Sequence, residues 1–185
     1  MRIIRNFIAV SLAVVVFSMV DTNAQSFSGR GGQAISGIEQ QVFKKINGLP
    51  NYGLFDHIAF QVKGNQVFLY GKVNSLGTRK SAERAVSRIA GVGSVVNNIT
   101  NLPPSSFDDR IRRAVVRNFV NSSGVYMYLR GPSPSVRIIV ENGRITLEGH
   151  VSDRGTSNLM NVLANQVTGV FSVRNNLEVT NGRDR

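Results

Sequence analysis

The stretch NGRITLEGHV, from Asn142 to Val151, repeats GNQVFLYGKV, from Gly64 to Val73, at an offset of 78 positions. The offset persists well beyond that motif. Ala82, Ala85, Val86 and Ile89 recur as Met160, Leu163, Ala164 and Val167. Gly91-Val92 recurs as Gly169-Val170, and Val95, Asn97, Asn98 and Ile99 recur as Val173, Asn175, Asn176 and Leu177. So many matches at a single spacing mark an internal duplication, and a duplicated chain folds as two like units.

Periodicity supplies the elements of each unit. Ile38, Val42 and Ile46, with Phe43 beside them, predict a helix over about 35–47, ended by Gly48 and Pro50. Ile58, Phe60 and Val62 alternate as in a half-buried strand; Gly64-Asn65 suits a two-residue hairpin turn; Val67, Leu69, Gly71 and Val73 face inward on the return strand. The apolar stripe Ala82, Ala85, Val86 and Ile89 predicts a second helix over 78–90, and a third strand follows over 95–100. Pro103 and Pro104 close the unit, since neither helix nor central strand continues through them.

The second unit repeats this order. Ser106 with Asp109 reads as a capping box for a helix over 107–121 that buries Ile111, Val115 and Phe119. A longer loop containing Pro132 and Pro134 leads to a strand through Val136, Ile138 and Val140. After the Asn142-Gly143 turn, Ile145, Leu147, Gly149 and Val151 face inward. The fold class is therefore α+β: two tandem αββαβ domains, each a small three-stranded mixed sheet with two helices on one face. The divisions are a signal peptide at 1–24, a leader at 25–35, domains at 36–103 and 104–180, and a tail at 181–185.

Domains of this size bury only about 60% of their unfolded surface, so the two units are expected to pack together. Phe68 and Tyr70 point away from Val67 and Leu69, where the second unit carries Thr146 and Glu148. An aromatic patch there is either the contact between units or a protein-interaction surface. The contact is the favoured reading.

Export is expected from the N-terminus. Arg2 and Arg5 precede an apolar run from Phe7 to Val20, and Asp21 to Ala24 end in small residues before Gln25. That run is shorter than the roughly 20 residues that span a bilayer, so a cleaved secretory signal, cut after Ala24, fits better than an anchor. The expected location is periplasmic or secreted. There are no cysteines, so the fold holds without disulfides and has no site for a lipid-anchoring thioether.

Lys and Arg number 22 against 11 Asp and Glu, for a net charge of +11; without Arg2, Arg5 and Asp21 the balance is still +10. Such a charge favours anionic partners. For an exported chain these are lipid headgroups or acidic envelope polymer rather than nucleic acid. Two basic stripes stand out: Lys80, Arg84 and Arg88 on the first unit's second helix, and Arg110, Arg113 and Arg117 on the second unit's first helix, with Arg112 nearby. Their alternative reading is a solvated helix face.

Catalytic patterns are weak. His57 and His150 are the only histidines and form no HxxxH or HxH pair; there is no G-x-S-x-G elbow; Glu141 and Glu148 do not make a glycosidase pair by spacing. The run GRGGQA lacks a preceding strand and is no dinucleotide fingerprint. No enzyme, cofactor or metal site is expected.

GNQVFLYGKV with AGVGSVVNNI, and NGRITLEGHV with TGVFSVRNNL, resemble the BON domain (bacterial OsmY and nodulation), in tandem as in OsmY-like envelope proteins. The resemblance covers about residues 36–180. It implies an αββαβ fold, an exported location and a non-enzymatic role: anionic phospholipid binding or envelope maintenance under osmotic or other stress. A role as an envelope assembly adaptor, using a sheet edge or the Phe68/Tyr70 face, is the alternative.

Overall fold

The computed structural model describes residues 37–180; the expected signal peptide, leader and tail lie outside them. The element order is α1 (Gly37–Asn47), β1 (His57–Lys63), β2 (Gln66–Val73), α2 (Thr78–Ser87), β3 (Ser94–Asn101), α3 (Ser106–Val120), a 3-10 turn (Tyr126–Leu129), β4 (Val136–Glu141), β5 (Arg144–Val151), α4 (Arg154–Asn165) and β6 (Ser172–Val179). The strands form two sheets, β1-β2-β3 and β4-β5-β6. In each, the hairpin pair is antiparallel and the third strand returns parallel to the second, after a crossover helix.

Strand alternation puts one face of each sheet into a core. Ile58, Val67, Leu69, Val73 and Ile99 pack against Val42, Ile46, Ala82 and Val86 from the two helices. In the second unit Val136, Ile138, Val140, Ile145 and Leu147 meet Ile111, Val115, Phe119, Met160 and Ala164. Both helices of a unit therefore cover the same face, as the periodicity predicts. Phe43, beside the first stripe in sequence, lies outside that core and is 60% exposed.

Gly71 and Gly149 explain why the duplicated motif carries a glycine before its last two residues. Both have positive φ, 126° and 112°. A Cβ at Gly71 would overlap the carbonyl oxygen of His57, and one at Gly149 that of Ser135. Close cross-strand approach, rather than an inward-facing side, fixes this position.

One helix start differs from expectation. Ser105, not Ser106, caps α3, its Oγ accepting the Asp108 N–H at 3.1 Å. The Asp109 carboxylate accepts from Arg112 instead of turning back to the cap, so no reciprocal capping box closes. The Asp108 carboxylate accepts the backbone N–H groups of Asn142 and Gly143 at 2.9 and 2.8 Å, tying the hairpin turn to the helix.

The units meet through the loop after α1. Leu54 and Phe55 pack against the second core, and the Leu54 carbonyl accepts the Ile138 N–H at 2.8 Å, using part of the outer edge of β4. Lys72 pairs with Glu141 across the junction. Arg137 donates to the Gly53 carbonyl at 2.7 Å and lies over the Tyr52 ring.

Candidate functional site

The basic stripes lie where the sequence placed them. Lys80 and Arg84 are exposed on α2, and Arg88 is exposed at its C-cap, one residue past the helix that the sequence carried to 90; the opposite side buries Thr78, Ala82 and Val86. Arg110, Arg113 and Arg117 are exposed on α3, whose buried side holds Ile111, Val115 and Phe119. Among the described residues, none of the six pairs with a carboxylate. Their charges are left to solvent or a partner.

Neither stripe is inherited from the duplication. The positions matching Lys80, Arg84 and Arg88 in α4 are Asn158, Val162 and Gln166. Aligning Val115 and Phe119 of α3 on Val42 and Ile46 of α1 sets Arg110, Arg113 and Arg117 against Gly37, Gln40 and Lys44. The repeat retains the core while each unit carries its own basic face.

Arg112 does not belong to this surface. It is 3% exposed and donates to Asp109 at 2.6 Å and to the Val140 carbonyl at 2.7 Å, so it braces α3 against β4. Sequence spacing alone could not separate it from its neighbours.

Aromatic residues border the second stripe. The Arg110 guanidinium lies 5.7 Å from the Phe107 ring centroid, and Phe107 lies 6.1 Å from Phe171. Phe171 is 72% exposed. A basic helix with an exposed aromatic at its N-terminal end suits a headgroup layer, where cations meet phosphates and rings sit among the glycerol backbones. Phe171 drew no notice in the sequence because it falls within the repeated TGVFSV segment, where the first unit has Gly93.

Phe68 and Tyr70 stack on the outer face of the first sheet, centroids 6.5 Å apart, with the Lys63 ammonium 5.4 Å from the Phe68 ring. Phe68 is half-buried, Tyr70 is 39% exposed, and neither joins either core. The junction between units runs through the 51–56 loop, Lys72 and Arg137, so the contact expected of the aromatic pair is carried by other residues. The pair remains a candidate protein-interaction surface.

The two histidines are far from equivalent. His57 lies in the junction, where burial and then the Arg137 charge hold its pKa down at about 4. His150 is exposed and lies 3.5 Å from Glu178. Glu148 accepts from Asn176 at 2.8 Å, while burial raises its pKa. Both outward residues of the signature thus have partners on β6. No group of three or more metal-ligating side chains occurs among the described residues, and no described helix is long and apolar enough to cross a membrane.

The family profile of the BON domain matches twice, over residues 36–103 and 108–181. The chain belongs to the BON-domain family. It is a tandem BON-domain protein, and the two matches coincide with the two αββαβ units. No curated protein matches it. Among solved structures, the C-terminal domain of CdsD, a structural protein of the type III secretion system of Chlamydia trachomatis, aligns at 12% identity over 80% of this chain and all of that one, with a TM-score of 0.31. A second CdsD structure aligns at 13% identity over 76% and 91%, also with a TM-score of 0.31. Overlap that loose carries nothing about function.

Proposed function

We propose that this tandem BON-domain protein is an exported, non-enzymatic binding module that docks peripherally on anionic phospholipid or another acidic component of the cell envelope. The observation that carries this reading is the pair of exposed faces, Lys80/Arg84/Arg88 and Arg110/Arg113/Arg117, whose six cations pair with no carboxylate among the described residues. Each basic residue near an anionic bilayer contributes about 1 kcal/mol. Neither helix has a broad exposed apolar face, so docking is electrostatic, helped at one point by Phe171, and weakens with salt. The N-terminal sequence supports export. Co-sedimentation with vesicles tests the proposal: binding to anionic vesicles at low salt with none to neutral ones is the expected result, and equal binding to both overturns it.

A second reading is favoured by the Phe68/Tyr70 stack, which lies outside both cores. A protein partner docking there or adding a strand to the β3 edge would make the chain an envelope assembly adaptor. Phe68→Ser with Tyr70→Ser should abolish capture of such a partner; unchanged capture and unchanged stability would exclude it.

A further inference from the structure

The two units line a cleft of about 360 Å³ whose lining includes none of the six stripe residues. Its floor is the outer face of the second sheet, where strand register sets three rows: Glu141, Arg144 and Ser172; Ile139, Thr146 and Arg174; Glu148 and Asn176. His57 and Lys72, neighbours across β1 and β2, close it from the first unit.

Most charges in this cleft are already answered. Lys72 holds Glu141, and Asn176 donates to Glu148. Arg144 and Arg174 are exposed and make no hydrogen bond or ion pair with another described residue, although Arg174 and Glu148 attract one another. They occupy diagonal positions on adjacent parallel strands, one strand spacing and two residues apart, which sets their backbones about 8 Å from one another. Two guanidinium forks at that separation can converge on one phosphoryl group, each with paired N–H donors. The hydroxyls of Thr146 and Ser172 flank the same spot.

The remaining lining suits hydroxyl groups. The Glu148–Asn176 pair keeps lone pairs and an amide hydrogen to offer, and His57 is uncharged at neutral pH, able to donate or accept. The lining mixes cationic, acidic and neutral polar groups with the outward-facing side chain of Ile139.

We infer that this cleft is a binding site for a phosphorylated polyol, with Arg144 and Arg174 holding the phosphoryl group and Thr146, Glu148 and Asn176 recognising hydroxyls. Because both units line it, the site forms only when they are docked. A free sugar or glycerol phosphate and a phosphoglycerol lipid headgroup share this chemistry.

Calorimetric titration of the full-length chain with glycerol 3-phosphate is the test, with glycerol and inorganic phosphate as separate probes. Saturable binding of glycerol 3-phosphate, tighter than of either probe, is expected. R144A/R174A should weaken it by about tenfold or more, whereas K80Q/R84Q/R88Q retains it. Both arginines are exposed, so equal thermal unfolding of R144A/R174A and wild type verifies the fold. Failure to saturate, unchanged binding by R144A/R174A, or inorganic phosphate binding as tightly as glycerol 3-phosphate would overturn the assignment. Phosphatidylglycerol vesicles that displace glycerol 3-phosphate identify the headgroup as the source; vesicles that leave it bound identify a soluble compound; both results uphold the site. Vesicle binding by the helix faces can fail without touching this outcome.

Discussion

The Arg137 guanidinium lies 4.2 Å from the centroid of the Tyr52 ring. Arg137 lies in β4 of the second sheet, Tyr52 in the loop before the first, and their contact joins the two units. Arg137 is 5% exposed, and its cation is sustained there by the ring, the Gly53 carbonyl and more distant oxygens of Asn47 and Ser133. Burial lowers its pKa, partly offset by the Tyr52 and Asp56 charges.

Arg137→Ala should therefore weaken the junction between the units. A loss of about 2–4 kcal/mol is expected, because the carbonyl of Gly53 and the face of Tyr52 lose their partner. Arg137→Lys should recover only part of it, lacking the planar fork. Denaturant unfolding measures both, and limited proteolysis in the 51–56 loop reports the separation.

His57 gives the junction a pH dependence. Its folded pKa of about 4 lies below the unfolded value of 6.5. Between those values the unfolded chain binds the proton and the folded one does not, so stability falls as pH drops from 6.5 toward 4 and changes no further below that range. The term amounts to at most about 3 kcal/mol. Glu148, with its raised pKa, acts in the opposite direction: its contribution is full at low pH and is lost as pH rises above the ordinary carboxylate range. His57→Gln should flatten the acid side of the stability profile. Proton NMR of the imidazole gives the pKa directly, and Arg137→Ala should raise it.

Gly149→Ala and Gly71→Ala should each cost about 3 kcal/mol or more, since the new Cβ collides with a carbonyl oxygen of the neighbouring strand at positive φ. A thermal melt suffices. Gly64→Ala, at positive φ but with no atom within 4 Å of the added Cβ, should cost closer to 1 kcal/mol.

Phe171→Ser should change stability by less than about 1 kcal/mol, the ring being largely in solvent. If the ring enters the headgroup layer, losing it removes about 1 kcal/mol of transfer free energy, a roughly fivefold weaker affinity for anionic vesicles.

Much of the architecture was legible because the duplication supplies two independent readings of each element. Ile145 and Leu147 alternate as Val67 and Leu69 do, and both pairs are fully buried. The exposed stripes were equally legible, since 3.6-residue spacing determines which side of a helix meets solvent. Arg112 was not, because its burial depends on where β4 lies relative to α3, a long-range relation that spacing does not contain. The junction was hidden for the same reason. Tyr52, Leu54 and Phe55 sit in an irregular loop without periodicity, and Arg137 reads as the outward residue of a strand until the other unit covers it. Phe68 and Tyr70, which outward alternation singled out, lie on the same sheet face as His57 and Lys72 but farther along it from the junction.

Vesicle co-sedimentation of charge-neutralised variants distinguishes docking by the two basic helix faces from any other mode of anionic binding. Wild type, K80Q/R84Q/R88Q, R110Q/R113Q/R117Q and the combined variant would be compared at low salt on phosphatidylserine vesicles, whose headgroup is not a phosphoglycerol and so does not address the Arg144/Arg174 cleft. At about 1 kcal/mol per basic residue, each triple change should weaken binding by up to roughly a hundredfold. The combined variant should bind anionic vesicles no better than neutral ones. Sedimentation of the combined variant equal to wild type would show that the helix faces do not bind the anionic surface.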